Sequence, residues 1–484
     1  MKILFRLAAF IVFAAATPFF LVSCGNRAKI TEYDITAELD GNTLTGRETV
    51  TFYNSYDTSF KELKFNLFPN AFRSGAKIKP IAEQYKSIAY YNGENYGDME
   101  ILSVVQDGVP VDFTVGGEDR NVLTVPLQTE VFPEEKATLT VEFRVELAEV
   151  IARTGITKKT VNLANFYPIL CAVDKDGFYE CLYYPVGDPY FSECANYTVT
   201  LTFDDNLAMA TSGYPVKSET AGDKKKETYK IENARSFSAV ASENFLVVSA
   251  KYRDTQVNYY YYDDDNPEEF LDYAVRSLDL FGRLFGEYPY KTYSVAKTGF
   301  IQGGMEFPGL VYISDDLERK AFGEVIAHET AHQWWQTVVG NNETEYGFLD
   351  EGLAEYSVVL FYENYSDYGY TRKNLLSASE KTYKTFCSVS DKLFGKVNTV
   401  MTRSLKDFNS EYEYVNIAYV KPCSMYDTLR ETIGDKKFFA GLKKYYSDYA
   451  FKIAAPDDLV GAFEKTGADV NGFFDGFFYG RVIL

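Results

Sequence analysis

Histidine is scarce in this sequence: two residues in 484, His328 and His332. Any chemistry that needs imidazole must use one or both of them. Cysteine is also sparse, at six, and no two form a C-x-x-C pair. That argues against a cysteine metal knuckle or a thioredoxin-like centre. Positive charge is short, with 49 Lys and Arg against 69 Asp and Glu and a formal balance of −20. An acidic surface of that size repels phosphate backbones, so no nucleic-acid partner is expected. What is plentiful is aromatic area: 40 Tyr and 38 Phe, with 46% hydrophobic and 24% charged residues overall. This is globular usage with material for large cores, and it excludes a disordered or collagenous chain. The length predicts roughly three domains of ordinary size.

Residues 1–23 read as an address. Lys2 and Arg6 form a short basic region, and an apolar run follows from Leu7 to Val22. The run contains Pro18 and is short for a bilayer crossing. It ends in Leu21-Val22-Ser23-Cys24-Gly25, which resembles the bacterial lipobox. That resemblance implies cleavage before Cys24, lipid on Cys24, and an exported protein anchored to the bacterial cell membrane. A retained membrane anchor is the alternative. Removing residues 1–23 takes away two basic residues and moves the balance from −20 to −22. Five cysteines then remain; Cys171–Cys181 and Cys387–Cys423 are possible pairs, and an odd count leaves one thiol over.

The remaining chain changes period near 250–256. Before that point apolar and polar residues alternate: Leu139, Val141, Phe143, Val145 and Leu147 share one strand face, and Tyr197, Val199, Leu201 and Phe203 repeat the pattern. This predicts an antiparallel β domain with one solvated face, over 24–252. Beyond it, Asn266-Pro267-Glu268-Glu269 is a helix start, followed by Phe270, Ala274, Leu278, Phe281 and Phe285 at helical spacing. Further helices are expected at roughly 317–339, 349–365, 422–433 and 457–465. The second domain, 253–484, is therefore mainly helical and the whole chain α+β.

Both histidines lie in His328-Glu329-Thr330-Ala331-His332. On a helix, residues i and i+4 share a face, so both imidazoles can reach one ion while Glu329 stands beside them as a base. A catalytic zinc site needs a third protein ligand and an open position for water. Across an 18-residue gap comes Glu351-Gly352-Leu353-Ala354-Glu355. This constellation resembles the membrane alanyl aminopeptidase family, which includes leukotriene hydrolase. Gly303-Gly304-Met305-Glu306-Phe307 is similar to its G-x-M-E-N loop, and Tyr419-Val420-Lys421 to its Y-x-K-G. The similarity runs, more weakly, over nearly the whole mature chain.

The resemblance implies a β saddle followed by a thermolysin-like catalytic domain, with the family's large C-terminal helical domain absent. It implies one Zn2+ per chain, held by His328, His332 and Glu351, with Glu329 as general base and Tyr419 stabilising the oxyanion. Glu306 would bind the free amine of a peptide substrate, beside Gly303, Gly304 and Met305, whose loop carries backbone that pairs with the extended peptide. Glu355, one turn after Glu351, is a candidate to fix the tautomer of a ligand imidazole; an ordinary surface acid is the other reading. Two positions depart from the family: Phe307 stands for Asn and Pro422 for Gly. A second amine anchor is expected from the β domain near Asn162–Pro168. The activity implied is removal of N-terminal residues from peptides; a zinc endopeptidase and an inactive peptide-binding or scaffold lipoprotein are the alternatives. Protein partners are unspecified.

Overall fold

Alternation in the first half becomes strands, and burial follows it residue by residue. In the computed structural model, which describes residues 30–482, strand Glu32–Asp40 buries Tyr33, Ile35, Ala37 and Leu39 and exposes the residues between. Lys136–Glu146 buries Leu139, Val141, Phe143 and Val145; Ala195–Asp204 buries Tyr197, Val199, Leu201 and Phe203. These strands belong to an eight-stranded sheet ordered Tyr214–Ala221, Lys224–Ala234, Ala195–Asp204, Glu32–Asp40, Thr43–Tyr53, Lys136–Glu146, Asp98–Gln106 and Val109–Pro110. Two four-stranded sheets accompany it within the first half. Among the named strands of this half the expected antiparallel pairing has one exception. Glu32–Asp40 runs parallel to Ala195–Asp204, with Tyr33 opposite Tyr197 and their rings stacked at 4.8 Å. The long stretch of chain between these strands provides the crossover that parallel pairing needs.

The second half is built on a five-stranded sheet ordered Leu246–Tyr252, Thr255–Tyr261, Thr292–Thr298, Leu310–Ser314 and Gly304–Met305. Its central strand Thr292–Thr298 is buried at every residue, as a parallel strand covered on both faces must be. Leu246–Tyr252 pairs with Thr255–Tyr261 through a tight turn in which Arg253 has φ 51°. The change of sheet therefore falls before Leu246 rather than at the 252/253 boundary read from the sequence. Alternation continues on both sides of that turn, which hides the break.

Among the described residues there are eight helices of eight or more residues: α1 Pro267–Leu284, α2 Arg319–Ala331, α3 Phe348–Asn364, α4 Arg372–Phe394, α5 Lys421–Ile433, α6 Asp435–Tyr449, α7 Pro456–Glu464 and α8 Asn471–Phe478. The molecule is α+β, a β-rich half followed by a helical one. Three expectations need correction. The helix expected over 317–339 stops at Ala331, because Trp334 and Trp335 both turn inward and donate to Gly286 O and Ser357 Oγ. The backbone then folds back at Gln336, with φ 118°. α4, α6 and α8 were not anticipated; α4 buries only Tyr383, Phe386 and Cys387, too narrow a stripe to read. Finally, Cys171, Cys181, Cys194, Cys387 and Cys423 are all free, buried thiols, so neither candidate disulfide forms. The leader over 1–23 and Cys24 lie outside the described residues.

Candidate active site

Helix α2 carries both histidines, and His332 is its C-cap, still helical at φ −62° and ψ −16°. One turn therefore separates the two rings, whose Nε2 atoms stand 3.1 Å apart. α3 delivers Glu351 against them, with Oε2 3.3 Å from His328 Nε2 and 3.2 Å from His332 Nε2. Ligands of a tetrahedral zinc, each about 2.0–2.1 Å from the ion, lie about 3.3–3.4 Å from one another. The three donors already have that spacing, so the residues present fit the metal.

Hydrogen bonds fix which nitrogen of each ring is free. His332 Nδ1 donates to Trp335 O at 3.0 Å, and a carbonyl only accepts, so Nε2 is the nitrogen left for a metal when the ring is neutral. His328 Nδ1 lies 3.3 Å from Glu355 Oε2 and is held in the same tautomer. Glu355 is thus in contact with a candidate ligand rather than a plain surface acid. Electrostatics also call for a cation. Burial disfavours charge on His332, yet Glu306 and Glu351 override it and lift its pKa to about 10. Burial likewise opposes charge on Glu351, but the two imidazoles hold its carboxyl far below the usual range.

Glu329 is buried, with Oε2 lacking any partner among the described residues. Desolvation raises its pKa to about 7 against the pull of the two histidines, a suitable range for a group that takes and returns a proton. Gly304 makes its position possible. A Cβ at residue 304 would lie 2.4 Å from Glu329 Oε1, so only glycine admits the carboxylate here. Gly304–Met305 is the edge strand of the five-stranded sheet, pairing antiparallel to Leu310–Ser314. Glu306 follows, 3% exposed, with Oε1 unpartnered. Burial and the Asp188 carboxylate push its pKa well up. Gly303, Gly304, Glu306, Glu329 and all three candidate ligands line one cleft of about 380 Å³. Met305 is buried beside it and accepts from Arg153 Nε at 3.0 Å.

Tyr419 also lines the cleft, its ring stacked on His328 at 5.8 Å and its hydroxyl donating to Glu351 Oε1. It sits in a π-helical turn, Val415–Val420, that runs without a break into α5. Pro422 explains the wide turn: it has no N–H for Ala418 O and its ring crowds that carbonyl, which a π turn relieves. The same proline packs on Gly352, where a Cβ would lie 2.5 Å from Pro422 Cβ. Both departures from the family loops are thereby accommodated. Phe307 is buried against Tyr312, while its carbonyl and Gly309 N are clamped by the Gln333 side chain at 3.2 and 2.8 Å.

The stretch 162–168 does not reach the cleft. Asn162 is consumed by Ala152 O and Gly299 O, at 2.8 and 3.0 Å. The β half contributes Tyr85, Arg153, Pro185, Gly187 and Asp188 instead. Arg153 and Asp188 form a buried ion pair beside Glu306. Sequence reasoning missed both; nothing in Gly187-Asp188-Pro189 beyond a turn signal marks them.

Residues 270–477 match the peptidase family M1 domain. That match falls within the second half of the chain. Aminopeptidase N of Lactococcus lactis subsp. lactis is 28% identical over 230 residues, 42% of this chain and 25% of that protein. Tricorn protease-interacting factor F2 of Thermoplasma volcanium is 24% identical over 312 residues, 60% of this chain and 38% of the relative. The chain thus spans well under half the length of these curated relatives. Among solved structures, the M1 zinc metallopeptidase from Deinococcus radiodurans superposes with a TM-score of 0.66 at 16% identity. The alignment covers 94% of this chain and 96% of that one, so the likeness of fold extends beyond residues 270–477 into the β half. A mutant of the same protein, bound to a Tyr-ser-ala substrate, gives the same TM-score.

Proposed function

We propose that the protein is a zinc aminopeptidase that removes N-terminal residues from peptides. The observation that carries this reading is the set of three donors at tetrahedral spacing, with Glu329 beside them and the buried Glu306 closing the same cleft. Zinc, when bound by His328, His332 and Glu351, supplies a Lewis acid for the peptide carbonyl and lowers the pKa of water. Glu329 takes the proton from the attacking water and passes it to the leaving amine. Tyr419 donates its hydroxyl to the oxygen that gains charge as the carbonyl carbon becomes tetrahedral. Glu306 receives the substrate's ammonium group, and Asp188, held by Arg153, adds negative charge behind it. The free edge of Gly303-Gly304-Met305 offers backbone groups to an extended peptide as an added strand.

The deciding experiment is a panel of amino-acid anilides and peptides, free and N-acetylated, given to the wild type and to Glu329→Gln. The expected result is cleavage of free-amine substrates alone, abolished by Glu329→Gln with zinc content unchanged. Equal internal cleavage of acetylated peptides would make the protein an endopeptidase. No cleavage by the zinc-loaded wild type would make it a binding protein.

The proposal includes export and lipid attachment at Cys24, supported by the basic and apolar leader and its Leu-Val-Ser-Cys-Gly ending. Among the described residues no helix is long and apolar enough to cross a membrane. Mass spectrometry of the mature N-terminus tests it: a diacylated Cys24 is expected.

A further inference from the structure

Charge along α2 is arranged by turn. At its C-terminal end His332 has Glu306 as the first of the acids acting on it. One turn earlier His328 faces Glu351 and Glu355. A further turn back, Glu324 lines the same cleft as Glu355 and His328. At 1.5 Å per residue the helix carries this series over about 12 Å, the span of three to four extended residues. A peptide whose amine lies at Glu306 and whose scissile carbonyl lies between the histidines therefore leaves the site past His328, towards Glu324 and Glu355.

That exit is acidic. Glu324, Glu355 and Glu411 line it, and Glu411 accepts from Tyr85 at 2.8 Å. Glu324 is partly exposed and makes no hydrogen bond or ion pair among the described residues. Arg153 is the one Lys or Arg among the residues lining the cleft, and Asp188 already holds it. Two further carboxyl oxygens, Glu306 Oε1 and Glu329 Oε2, are buried here without partners, as expected of a cleft built to receive a ligand.

We propose that this exit selects peptides whose second residue is lysine or arginine, the cationic side chain lying against Glu324 and Glu355. The inference rests on the peptidase reading and specifies its substrate class. A flexible basic side chain suits a cleft lined by both carboxylates, whereas an acidic one meets like charge in a partly desolvated site.

The test uses the zinc-loaded protein and three amides, Ala-Lys-NH2, Ala-Leu-NH2 and Ala-Glu-NH2, with release of alanine as the readout. The expected kcat/KM order is Lys over Leu over Glu, with Lys ahead of Glu by about tenfold or more at low salt. High salt should narrow the ratio by screening. Glu324→Gln should reduce the Lys-to-Glu ratio several-fold, and Glu324→Lys should invert it. Lys and Glu amides cleaved within twofold of each other, or a ratio untouched by both substitutions, would overturn the selection while leaving the peptidase intact. Failure to cleave any of the three would overturn the peptidase reading itself.

Discussion

The hydroxyl of Tyr419 has one proton to give, and in the structure it goes to Glu351 Oε1. Burial and that carboxylate keep the phenol protonated, its pKa well above the usual tyrosine value. During turnover a developing oxyanion competes for the same proton, and the stacked ring on His328 keeps the hydroxyl within the cleft. Tyr419→Phe should therefore lower kcat by about 10² to 10³ while KM changes little, because the contact matters most when charge appears. Steady-state kinetics on an anilide, with metal analysis alongside, checks this; loss of zinc from the variant would instead assign Tyr419 to holding Glu351. At this scale the sequence was most legible where chemistry follows local spacing. His328, Glu329 and His332 share one helix, so their convergence is fixed by 3.6 residues per turn. Arg153 and Asp188 come from loops of the β half, and only tertiary packing brings them to Glu306.

Two glycines decide how closely the elements approach. Gly304 lets the edge strand pass over Glu329, and Gly352 lets α3 lie against Pro422 at the start of α5. Both contacts are invisible in a sequence, where these glycines mark only a loop and an Glu-Gly pair. Gly304→Ala should push the Glu329 carboxylate aside, since its end is the flexible partner in the clash. The expected result is a loss of about tenfold to a hundredfold in kcat/KM with Tm and zinc content near wild type, as follows from displacing a base by an ångström or so. A fall in Tm of many degrees, with activity per folded molecule preserved, would show that the strand moves instead. Strand interiors and most helix interiors were legible from their periods, with α4, α6 and α8 the exceptions. The ends were not: Trp334 and Trp335 stop α2 through tertiary contacts, and Pro422 widens a helix that local rules would have begun there.

The two halves of the molecule are tied at the metal centre's back. Arg235, from the β half, fits over Gly340 and donates to Gln336 O and Lys452 O, both at 2.7 Å, so it holds the fold-back that follows His332. Stability of the β half is therefore stability of the site. Its sheet contains one group at odds with its surroundings: Glu48, on strand Thr43–Tyr53, is 0% exposed and neither carboxyl oxygen has a partner among the described residues. Burial pushes its pKa well above the usual carboxyl value. In the folded state the group prefers its proton; in the unfolded state it ionises near the ordinary value of about 4.3. Its contribution is fully present below that value and is lost as pH rises through the folded pKa, at about 1.4 kcal/mol per pH unit. Glu48→Gln removes the titration and keeps the shape. The difference in unfolding free energy between variant and wild type should accordingly move in the variant's favour by about that slope from pH 5 upward, and level off below pH 4. Urea titrations of both proteins across that range measure it, and taking the difference cancels the carboxylates whose pairing gives the opposite slope. A difference independent of pH would mean that Glu48 reaches water or a partner on folding; the expected slope would show that it stays buried and keeps its proton.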